Sequence, residues 1–134
     1  LPLIVVTVAV HVFILGLVVK KIVFAAIVPV DRERSMVTFC TVVGTTTGVA
    51  TLLLAIHAAI WAMLYFEIGA LPDFASAILY SLSALTSYGH AELFLDKQWQ
   101  LMGALEAVNG GLLFGLTTAF LFATIQAVWP ISRG

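Results

Sequence analysis

Charge is what this chain has least of. Only 10% of its 134 residues are Asp, Glu, Lys or Arg, six basic against seven acidic for a net charge of −1. Soluble domains carry about 25%. With a pI near 6.3 there is no basic field to hold nucleic acid, and none is expected as a partner. The single cysteine, Cys40, excludes an intrachain disulfide framework, and its expected place is that of a small buried residue. The sequence has no metal-ligand pair, no Gly-rich nucleotide loop and no nucleophile–base spacing. Neither an enzyme nor a bound cofactor is therefore expected. A run of spaced arginines, the mark of a voltage sensor, is also missing.

What the chain does have is apolar surface. Hydrophobic residues make up 62% of it and its mean hydropathy is +1.13. A 14.4 kDa chain cannot hide that much from water, because small domains leave a large fraction of their surface exposed. An all-α membrane protein is expected. The few charges cut the sequence into uncharged stretches: 1–19 before Lys20 and Lys21, 36–66 between Arg34 and Glu67, and 107–132 between Glu106 and Arg133. A helix needs about 20 residues to cross a hydrocarbon core roughly 30 Å thick. Three spans are predicted, over about 2–28, 36–68 and 98–129. The opening run lacks a basic leader and a small-residue cleavage site, so it reads as a span rather than a signal peptide. Its start at Leu1 rather than Met suggests a beginning inside a longer native chain.

A fourth uncharged stretch, Phe74 to Ala91, is interrupted by Ser76, Ser81, Ser83, Thr86, Ser87, Tyr88 and Gly89. Irregular backbone at membrane depth is tolerated only where protein shields it or it lines a watery cavity. Pro72-Asp73 ahead of it offers a breaker and a cap. The stretch thus predicts a short re-entrant helix, about 73–85, followed by an extended return. Basic residues support that topology. Lys20, Lys21, Arg32 and Arg34 fill the first connection and Arg133 follows the last span, while only Lys97 lies between the second and third spans. Three spans and one re-entrant loop place both basic groups on the cytoplasmic side, with the N-terminus outside.

The heptad Thr86-Ser87-Tyr88-Gly89-His90-Ala91-Glu92 resembles the T-T-x-G-Y-G-D selectivity filter of potassium channels. Trp99, Gly103-Ala104-Leu105-Glu106-Ala107 and Asn109-Gly110 are similar to the W-x-x-x-G-A-L-E-A-x-N-G run of small prokaryotic channel-like proteins with two helices and one pore loop. His11 and His57-Ala58-Ala59-Ile60-Trp61 also resemble that group, whose members carry an extra N-terminal helix. The resemblance implies a homotetrameric cation channel in the cell membrane. Four copies would each contribute a pore helix and a filter loop, 86–92, with potassium or another monovalent cation as the permeant ion. The expected partners are other copies of the chain, the lipid bilayer and the permeating cations.

A filter works as a ring of backbone carbonyls that replaces an ion's water shell, and glycine permits the positive φ such a strand uses. Here Ser87 replaces a threonine, Tyr88 a small aliphatic residue, His90 a tyrosine and Ala91 a glycine. Three roles stand for His90: the wedge behind the filter, an acid-sensitive ring that repels cations, and a metal-binding ring. Glu92 takes the family's Asp position at the outer mouth, to concentrate cations or to bond the pore helix. A filter-degenerate, poorly conducting structural or regulatory subunit is the alternative to a working channel.

In the last span, Gly111 falls where the related channels place a hinge glycine. Gly115, Ala119 and Ala123 continue that face at helical spacing, which suits a cavity lining or close helix packing. Glu106 matches the family's glutamate and is expected to brace the pore loop, and Asn109 to bond between helices. His11 and His57 are expected to hydrogen-bond across helices as neutral rings. Thr45-Thr46-Thr47 between Gly44 and Gly48 reads as loosened or polar-packed helix.

Overall fold

A computed structural model describes residues 2–27, 35–89 and 93–129. His90, Ala91 and Glu92, on which the outer-filter expectations rest, lie outside the described residues, as do Arg32, Arg34 and Arg133. Among the described residues there are four helices and no strand: α1 (Pro2–Ile27), α2 (Ser35–Glu67), α3 (Phe74–Thr86) and α4 (Gln100–Val128). Three of them contain stretches long and apolar enough to cross a membrane, at Pro2–Lys21, Met36–Glu67 and Gln100–Val128.

Local chemistry explains the element ends. Pro2 opens α1, where a missing N–H costs nothing. At the start of α3, Asp73 accepts from the Ser76 backbone N–H at 2.9 Å and from its hydroxyl at 2.8 Å. Those bonds, the backbone one foremost, hold the exposed Asp73 carboxyl below its ordinary pKa. At the other end Ser87 turns left-handed at φ 55°. Its N–H donates to Ala84 O and the Tyr88 N–H to Ser83 O, the paired bonds of a Schellman closure. The glycine–threonine segment of α2 is unbroken helix. Thr46 and Thr47 donate to the carbonyls four residues back, at 2.8 and 2.9 Å, so their hydroxyls are satisfied without leaving the helix.

α2 runs antiparallel to both other long helices. His57 and then Ala50 and Leu53 meet His11 and Leu15 as α1 advances, and Phe39 near the start of α2 stacks edge-on against Trp129 beyond the end of α4, at 5.2 Å. α1 and α4 are therefore parallel. α3 packs between α2 and α4 and shares their core, with Trp61, Tyr65, Ala77, Leu85 and Leu113. The outward faces are apolar, with Val5, Phe13, Val37, Leu52 and Phe122 exposed, as helices solvated by lipid should be. Cys40 corrects an expectation: it is exposed rather than buried, because it lies on the outer side of α2, where the described residues supply no covering neighbour.

Two glycines let α4 receive α3. A Cβ on Gly110 would collide with the Leu85 carbonyl oxygen and stand 2.7 Å from its Cα and 2.8 Å from its carbonyl carbon. A Cβ on Gly103 would strike the Tyr80 hydroxyl. Around Gly111, by contrast, there is open space within the chain. Gly110→Ala must displace backbone and is expected to cost about 1–3 kcal/mol, as overpacking does. Gly111→Ala is expected to be neutral or to stabilise by up to ~1 kcal/mol through helix propensity. Thermal unfolding of both variants in detergent checks the contrast; equal midpoints would contradict the close approach.

Candidate functional site

The segment singled out by its sequence sits at the end of α3. Leu85 is buried, the next four residues, Thr86, Ser87, Tyr88 and Gly89, are exposed, and the chain is buried again at Leu95. Tyr88 is 84% exposed. Thr86 still belongs to the helix, its hydroxyl donating to Leu82 O at 2.7 Å. Gly89 has φ 75°, a conformation that glycine adopts without the penalty a side chain would bring. Beside these residues lies an open hollow of about 210 Å³, lined by Tyr80, Ser83, Ala84, Gly89, Leu93 and Phe94.

Behind α3 stands a buried polar group. Glu106 of α4 is fully buried, as are Tyr65 of α2 and Ser81 of α3. The two hydroxyls face the carboxyl, and Tyr80 lies nearby. The contacts fall short of formed hydrogen bonds, leaving both carboxyl oxygens and both hydroxyls without a partner. Small rotations would close them, and the low dielectric of the site makes leaving them open costly. Tyr65 also meets Tyr80 edge-on at 5.3 Å. Glu106 thus lies where α2, α3 and α4 converge.

A second polar seam joins α1 to α4. Thr7 Oγ lies 2.9 Å from Ile4 O and 3.2 Å from Asn109 Oδ1. One hydroxyl proton serves only one of them. Donated to Ile4, it leaves Thr7 to accept from Asn109 once the amide is turned over, which also uses the otherwise unpartnered Nδ2. His11 Nε2 meets Thr117 Oγ1 at 2.9 Å. Asn109 and His11 therefore bond between helices. His57 does not: it packs on His11 with ring centres 5.4 Å apart, and both its nitrogens lack a partner. Among the described residues no three His, Cys, Asp or Glu gather as a metal centre would require.

The expected cavity face is open in the single chain. Gly111, Gly115 and Ala119 are all exposed, and a Cβ on either glycine would meet nothing within 4 Å. The sequence reading missed the residues that face Glu106, Asn109 and His11, namely Tyr65, Ser81, Thr7 and Thr117. One signal was there for α4: Gly103, Glu106, Gly110, Leu113 and Thr117 recur at three- and four-residue steps and form its buried face.

Comparison with protein-family models, with curated proteins and with solved structures yields no match to this chain.

If Glu106 ties the three helices together, replacing it should depend on what replaces it. Glu106→Gln keeps shape and polar atoms and is expected to cost less than about 1 kcal/mol. Glu106→Ala opens a cavity beside two buried hydroxyls and is expected to cost about 2–4 kcal/mol. Unfolding midpoints in detergent measure both, and equal losses would contradict the arrangement.

Proposed function

We propose that this chain is one subunit of a homotetrameric cation channel with potassium-channel-like architecture, conducting potassium or monovalent cations. The observation that carries the reading is the exposed Thr86-Ser87-Tyr88-Gly89 turn at the end of a short helix wedged between two membrane-length helices. Irregular backbone in that position needs protein or a water-filled cavity around it. The described residues of one chain leave the turn uncovered, whereas copies around an axis supply both. In the ring, α3 is the pore helix, the turn begins the filter, and carbonyls from each copy replace the ion's hydration shell. The C-terminal end of α3 carries the negative pole of its dipole, which favours a cation there. The open Gly111, Gly115 and Ala119 face of α4 lines the cavity, and Glu106 braces the pore helix from behind.

Orientation follows from charge. The start of α2 and the end of α4 lie at one end of the bundle, and in the sequence Arg32 and Arg34 precede the one and Arg133 follows the other. By the positive-inside bias that side is the cytoplasm and the N-terminus faces out. The membrane is the cell's plasma or inner membrane.

One feature favours the second reading, a poorly conducting structural or regulatory subunit. The Ser87 and Tyr88 amides bond back to α3, which curls the first filter residues instead of extending them. Ion flux in proteoliposomes under potassium, sodium and calcium gradients separates the readings. Monovalent flux with the native sequence is the expected result. No flux from an intact tetramer, with flux restored by His90→Tyr and Ala91→Gly together, would establish the second reading, and a monomer in the bilayer would overturn both.

A further inference from the structure

The contacts of α1 bear on how such a pore would be controlled. Thr7 and His11 stand one turn apart on α1, and their partners Asn109 and Thr117 stand two turns apart on α4. Between those partners lie Gly110, Gly111 and Gly115, where α4 is least resistant to bending. The upper tie is anchored twice over, because Gly110, beside Asn109, is also pressed against Leu85 of α3. The lower tie, at Thr117, lies one turn past Leu113, the last α4 residue in the core shared with α3. Below it Leu15 joins Ala50 and Leu53, with Phe120 against them, in an apolar contact. Between Thr7 and His11, α1 contains neither glycine nor proline, so it behaves as a straight strut.

We propose that α1 splints the glycine segment of α4 and that the His11–Thr117 hydrogen bond is the latch, which must open before α4 can bend at Gly111. The proposal rests on the channel reading for its consequence, control of ion passage, but the latch itself is a property of the fold. His57 backs the latch by packing against the His11 ring from α2. Among the described residues, Thr117 of α4 hydrogen-bonds the His11 ring and His57 of α2 packs against it. A single interhelical hydrogen bond in a membrane is weak enough to open and close reversibly. Its loss is expected to raise the population of bent α4 about 3- to 10-fold.

The test uses the full chain in lipid nanodiscs for amide hydrogen exchange and in proteoliposomes for flux. Thr117→Val and His11→Phe preserve bulk and remove the bond. Thr46→Val is the control, since Thr46 is equally buried but bonds only to its own helix. Exchange across 111–118 is expected to rise about 3- to 10-fold in both latch variants, with 101–108 and the control unchanged. Adding Gly111→Ala to Thr117→Val is expected to restore slow exchange, which a general loss of packing would not permit. Flux should rise in the latch variants and fall back in the double variant. Unchanged exchange, or a uniform rise across α4 that Gly111→Ala fails to reverse, would overturn the latch. Absence of flux in every form, with the exchange pattern as expected, would count against the channel reading alone.

Discussion

The fold turns on the approach of Leu85 to Gly110. A short helix can stand between two membrane-length helices only where its backbone comes closer to them than side chains ordinarily allow, and Gly110 supplies that space. Two turns earlier Gly103 makes room for a side chain instead, the Tyr80 ring and its hydroxyl. In a bilayer this matters more than in water, because lipid is as apolar as leucine and burial itself provides little drive for helices to associate. Close packing and interhelical polar contacts must do it instead.

Those polar contacts divide into two groups with different consequences. Glu106, Tyr65 and Ser81 sit buried where α2, α3 and α4 meet. Thr7–Asn109 and His11–Thr117 attach the first helix to the last. Neither group reaches the exposed turn at Thr86–Gly89. The front of that turn is left uncovered by the described residues.

Much of this was legible in the sequence. The spans could be found because crossing a bilayer demands length and hydropathy, which composition records directly. The start of α3 could be found because capping is local: Asp73 acts on Ser76, three positions away. Gly89 has a positive φ, which glycine adopts without penalty. The partners Tyr65, Ser81, Thr7 and Thr117 were not legible. In a helix surrounded by lipid nearly every face is apolar, so periodicity scarcely distinguishes the side that meets protein. Cys40 misled for the same reason, since a small apolar residue facing lipid looks like one in a core.

The central claim is that copies of this chain close a ring around the Thr86–Gly89 turn. Single-particle imaging of the full chain in lipid nanodiscs, with mass determination of the same particles, tests it most directly. A fourfold-symmetric particle of four chains, with the four turns converging on its axis, is the predicted result. A monomer, a dimer, or a tetramer with those turns facing lipid would contradict it.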